Sequence, residues 1–114
     1  MENNDLKDRT KTFALDILKL IKVLGSDLIE REISRQLVRS AMSVGANTRA
    51  AFRGRSRKEF VAKLGIVIEE ADECSYWFEL LQENGNSSNQ IPILKQEADE
   101  LTSFFTSISK KNKT

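Results

Sequence analysis

Apolar side chains recur at intervals of three and four residues through almost the whole chain, and the pattern breaks where Gly25, Gly54 and Gly85 stand. That spacing returns a side chain to the same face of an α-helix. No stretch shows the every-second-residue alternation of a half-buried strand. The first helix is expected at about 5–24, with Leu6, Phe13, Ile17, Leu20 and Leu24 on one stripe. Gly25 supplies a left-handed residue to end it, and Ser26 or Asp27 caps the next helix. That second helix, at about 27–53, buries Ile33, Leu37, Ala41, Val44, Thr48 and Ala51.

Gly54 closes the second helix. Ser56 and Glu59 then form a capping box, the hydroxyl accepting from the Glu59 backbone while the carboxylate reaches back. The third helix, at about 56–84, carries Phe60, Leu64, Val67, Ala71, Cys74, Phe78 and Leu81 inward, and it stops at the polar tract 84–89. Pro92 suits the first turn of a fourth helix at about 92–109, whose face is Leu94, Ala98, Leu101, Phe105 and Ile108. The tail Lys110–Thr114 is expected to fray. Helices of this size measure about 30 to 40 Å, and connections this short favour antiparallel neighbours. The fold class is therefore all-α: a single domain over 1–114, an up-down-up-down four-helix bundle.

Composition removes most catalytic chemistry. The 114 residues include no histidine and one cysteine, so no Ser-His-Asp triad, histidine zinc site or zinc knuckle is available. The chain is expected to be nonenzymatic, with no cofactor and no metal. Cys74 falls on the core seam, with no histidine to activate it. A lone thiol suits a reducing compartment, and the polar start Met1–Asp5 is not a signal peptide, so the cytoplasm is expected. The longest apolar run, Leu64–Ile68, is far too short for a membrane span.

Net charge is +1, but the charges are segregated. Between Arg31 and Lys58 stand eight basic residues against one acid, Glu32. Between Glu69 and Glu83 stand six acids and no base. At about 100° per residue, Arg31, Arg35, Arg39, Arg49 and Arg53 share a face roughly 80° wide, opposite the apolar seam. Met42 and Ala46 lie in the middle of that face. The third helix has a second apolar side, Ala62, Ile66, Trp77 and Leu80, interleaved with Glu59, Glu69, Glu70 and Glu73. One bundle core uses one stripe, so the second is expected to meet another copy of the chain. The expected oligomer interface comprises Met42, Ala46, Ala62, Ile66, Glu69, Glu73, Trp77 and Leu80. Asn47, beside the seam, is expected to be a buried hydrogen-bonding group that fixes helix register.

The segments Ser43-Val44-Gly45-Ala46-Asn47, Ser56-Arg57-Lys58-Glu59-Phe60, Lys63-Leu64-Gly65-Ile66, Glu69–Glu73 and Tyr76–Leu81 resemble the four-helix-bundle family of 23S rRNA intervening-sequence proteins. That family is also called S23 ribosomal protein-like and is related to the accessory protein of diversity-generating retroelements. The resemblance implies a bacterial homopentamer with a nucleic-acid role. This chain departs from the family pattern at Thr48, Ala50 and Arg55, which leaves the turn after the second helix more basic.

Two functional readings follow. In the first, Arg31, Arg35, Arg39, Arg49, Arg53, Arg55, Arg57 and Lys58 hold the phosphates of RNA or DNA, since guanidinium forks match phosphate geometry. In the second, Arg31, Arg35 and Arg39 pair with Glu69, Glu70 and Glu73 of a neighbour, and the assembly is a scaffold for a protein partner.

Overall fold

A computed structural model describes residues 3–113; Met1, Glu2 and Thr114 lie outside them, and with them the ends of the polar start and of the tail. Four helices make up the fold: α1 Asn3–Val23, α2 Leu28–Phe52, α3 Arg57–Glu83 and α4 Gln90–Asn112. No strand occurs among the described residues. The molecule measures 45 × 22 × 20 Å. Each helix contributes its stripe to one core, in which Phe13, Leu37, Leu64, Phe78, Leu101 and Phe105 are fully covered.

Helix starts follow from short polar side chains. Asp27 accepts from the Glu30 backbone at 2.9 Å and opens α2. Ser56 accepts from the Glu59 backbone at 3.1 Å and opens α3. The return bond from the Glu59 carboxylate, the other half of the capping box, is not among the hydrogen bonds of the described residues.

The glycine breaks work in different ways. Gly85 alone has positive φ, 96°. Its N–H reaches the Gln82 carbonyl and the Asn86 N–H the Leu81 carbonyl, which closes α3 with a Schellman motif. Gly25 is not left-handed. The Glu30 carboxylate folds over it and accepts from its N–H at 3.2 Å; a Cβ there would lie 2.6 Å from Oε1, so the flexible end of the Glu30 side chain would have to move aside. Glu30 also accepts from Asn86, tying the first connection to the third.

The tail differs from expectation. Lys110, Lys111 and Asn112 continue α4, because Asn112 Nδ2 donates to the Ile108 carbonyl and the Lys113 N–H to that of Ser109. Asn47 does not bridge helices; its amide donates to the Ser43 carbonyl and hydroxyl within α2.

Between helices, partly buried polar contacts fix which side chains meet. Arg9 of α1 grips Glu97 of α4 with two bonds of 2.7 Å, and the ion pair raises its pKa. Ser75 of α3 donates to Asp99 of α4 at 2.6 Å. Arg39 of α2 reaches Glu70 and Glu73 of α3 at 3.2 and 2.8 Å.

Candidate nucleic-acid interface

The turn between α2 and α3 is built from small and aromatic residues and decorated with cations. Gly54 is pinned there: its N–H donates to the Ala51 carbonyl, and a Cβ would crowd that oxygen at 3.1 Å and the Phe60 nitrogen at 3.4 Å. Phe52 and Phe60 pack against each other across the turn, their ring centroids 5.5 Å apart. Half-buried on the bundle, this clamp leaves Arg53, Arg55, Arg57 and Lys58 projecting into solvent.

Other elements extend the basic surface. Lys7 and Lys11 of α1 join Arg49 of α2 along a groove of about 340 Å³ with Ala14, Gly45 and Ala46 as its floor. The backbones come close here, since a Cβ on Gly45 would touch the Thr10 carbonyl at 3.8 Å. Arg57 and Lys58 join Lys113 along a second groove of about 400 Å³, floored by Val61 and closed by Asn112. Lys7, Lys11 and Lys113 were absent from the sequence-derived set. Nothing near them in sequence resembles a motif; only the helix order, which brings the ends of α1 and α4 to this turn, could have recruited them.

Arg49, Arg53, Arg55, Arg57 and Lys58 make no salt bridge among the described residues. Arg39 does: it binds both Glu70 and Glu73 of its own chain, and those carboxylates raise its pKa, Glu70 most. The expected pairing of arginine with α3 carboxylates is therefore present at Arg39 within one chain. Arg31 and Arg35 lie elsewhere again. They border a groove of about 450 Å³ between α1 and α2, floored by Ile21, Leu24 and Val38. Eighteen residues separate Arg31 from Arg49, about 27 Å along the helix. The single arginine face read from the helical wheel is thus three surfaces.

The second stripe of α3 also divides. Trp77 and Leu80 are half-buried and pack on the core of their own bundle, rather than standing outside it. The reason is that α3 packs extensively on both α2 and α4, which widens the arc it buries. The Trp77 indole nitrogen is covered without a hydrogen-bond partner. Glu73 is drawn to Arg39. Met42, Ala46, Ala62, Ile66 and Glu69 remain on the surface, and Tyr76, which the expected interface did not include, is 52% exposed.

Burial pushes the Cys74 thiol up to about 12, so it stays protonated and unreactive at neutral pH. No helix is long and apolar enough to cross a membrane, and no cluster of potential metal ligands occurs among the described residues.

Four long helices around one core, with a cation-rich turn at one end and a separate carboxylate-bearing face, define a small all-α protein whose charged surfaces are its salient chemistry. A family model for the 23S rRNA-intervening sequence protein matches residues 2–107, and the chain belongs to that family. It is similar to a crystal structure of a protein of unknown function from the S23 ribosomal protein family of Bacteroides thetaiotaomicron. The two share 35% identity over 96% of this chain and 99% of the other, with a TM-score of 0.84. No curated protein matches this chain.

Proposed function

We propose that this chain is a nonenzymatic, cytoplasmic, self-associating bundle that holds the phosphate backbone of RNA or DNA on its cation-rich end. The helices run up-down-up-down: Lys7 lies by Arg49, Arg39 by Glu70, and Lys58 by Lys113, so each helix reverses its predecessor. The observation that carries the reading is the set Arg49, Arg53, Arg55, Arg57 and Lys58, unpaired among the described residues and extended by Lys7, Lys11 and Lys113. Cations without carboxylate partners are free to replace the counterions of a polyphosphate. The only aromatics at the turn, Phe52 and Phe60, are engaged with each other, so contact is to backbone phosphates rather than stacked bases. Within the family resemblance the assembly is a homopentamer.

Fluorescence anisotropy with a labelled structured RNA, repeated across salt concentrations, tests this. The expected slope of log K against log salt is about −4 or steeper. Undetectable binding at low salt overturns the reading and leaves a scaffold for a protein partner.

A further inference from the structure

We propose that the cation-rich end takes double-stranded nucleic acid in preference to single strands, with one phosphate backbone on each side of the bundle end and no reading of sequence. The inference rests on the phosphate reading above and names the class of ligand that this surface fits.

The cations stand on two opposite sides. Helix α2 packs on α1 and on α3, and α3 in turn on α4, so the seam between α1 and α2 lies across the bundle from the seam between α3 and α4. The first seam carries Lys7, Lys11 and Arg49 along its groove, and the second carries Arg57, Lys58 and Lys113. The bundle is 22 × 20 Å across, and the turn with Arg53 and Arg55 joins α2 to α3 between the two groups. A duplex presents two backbones flanking a groove, about 12 Å wide on the major side of B-form DNA, so cations reaching in from two sides meet one backbone each. An unpaired strand has a single backbone, which must bend across the end to meet both.

The chemistry of the end selects in the same direction. Phe52 and Phe60 hold each other, and no other aromatic residue lies in the turn or lines its two grooves. The Asn112 amide, at the second groove, donates to the Ile108 carbonyl of its own helix. What remains is guanidinium and ammonium groups that make no salt bridge among the described residues. Proteins that hold single strands add bases stacked on aromatic rings to the backbone contacts, and this end offers no such platform. A surface that touches phosphate alone follows charge density instead. Duplex DNA carries one charge per about 1.7 Å of axis, and each phosphate neutralised counts about 0.9 in its salt slope against about 0.7 on a single strand. Duplex RNA is likewise recognised by shape and backbone rather than by sequence.

Fluorescence anisotropy tests this with one labelled RNA strand of about 16 nucleotides, free of self-complementarity, used alone and annealed to its complement. In about 0.1 M salt the duplex is expected to bind about tenfold or more tightly than the strand, and a duplex of unrelated sequence within about threefold of the first. Equal affinities, or a tighter single strand, overturn the inference and leave the phosphate reading standing. Binding of neither probe at low salt overturns both. Two duplexes that differ by more than about tenfold overturn the indifference to sequence.

The two sides are removed separately. Lys7→Ala/Lys11→Ala and Arg57→Ala/Lys113→Ala each take two cations from one side, and each is expected to weaken duplex binding about five- to tenfold and to flatten the salt slope by about 2. A loss in one variant alone, or in neither, overturns the two-sided contact. Unchanged helical circular dichroism verifies that both variants fold.

Discussion

Arg39 lies within α2 and Arg53 caps its C-terminus fourteen residues on, and the two stand among different neighbours. Arg39 lies opposite the stretch of α3 that carries Glu70 and Glu73, and both carboxylates bind it. Arg53 stands at the turn before α3, in a run that carries Arg55, Arg57 and Lys58, and makes no salt bridge among the described residues. The residue type is the same; what differs is the level of the partner helix. An arginine on a bundle surface is paired with carboxylates or left without them according to the neighbour that helix order assigns to it.

The widest separation between the two regions comes from charge removal at the turn. Arg53→Ala/Arg55→Ala/Arg57→Ala is expected to weaken RNA binding about 100-fold near 0.1 M salt and to flatten the salt slope by about 2 to 3. Its melting temperature is expected to stay within a degree or two of wild type, because these side chains make no salt bridge among the described residues. A triple variant that binds as tightly as wild type would erase the distinction.

The converse substitution is Arg39→Ala. Glu70, whose side chain is only 13% exposed, and Glu73 both lose their cation. The expected cost is about 0.5 to 1 kcal/mol by urea denaturation, the range for partly exposed pairs, with RNA affinity unchanged within twofold. A large loss of affinity with no loss of stability would mean that Arg39 is a phosphate ligand and its carboxylate contacts incidental.

Much of this molecule was legible before folding was considered. The four stripes gave the helices because burial of a regular apolar face leaves little choice of element, and the buried residues of α2 are those its periodicity indicates, with Ser34 and Ser40 added. Places where the reading departed from the structure share a cause: they depend on what lies across a helix boundary. A helical wheel treats Arg31 through Arg53 as one face, but it contains no information on height or on the carboxylates of α3. It shows Trp77 as a second stripe, whereas α3 packs on two neighbours and buries a wider arc. Gly25 reads as a left-handed stop, but its φ is not positive, and only the fold shows the Glu30 carboxylate accepting from its N–H. The cations of the turn were found from the run of basic residues along the sequence; Lys7, Lys11 and Lys113 needed the topology.

A smaller effect compares the two helix starts. Ser56→Ala removes the hydroxyl that accepts from the Glu59 backbone at 3.1 Å, and a loss of about 1 kcal/mol is expected. Because Ser56 lies among Arg55, Arg57 and Lys58, loosening α3 there is also expected to reduce RNA affinity severalfold. Asp27→Ala, at the far end of the bundle, is expected to destabilise without touching affinity.

The two caps also differ in whether they titrate, and this gives the finest test of the contrast between the ends. The Asp27 carboxylate accepts from the Glu30 backbone, which holds its pKa below the ordinary 3.8. A carboxylate with a lowered folded-state pKa stabilises fully above its unfolded value, and that contribution is lost as pH falls through the folded value. Stability of the wild type therefore includes a component that fades below about pH 4. Asp27→Asn retains an accepting oxygen for the Glu30 N–H but cannot titrate, so it is expected to lose less stability than wild type between pH 5 and pH 3. The Ser56 hydroxyl is uncharged over that range, and Ser56→Asp is expected to import the same acid sensitivity to the basic end. Identical acid profiles for wild type and Asp27→Asn in urea titrations would show that the Asp27 cap does not set the acid limb.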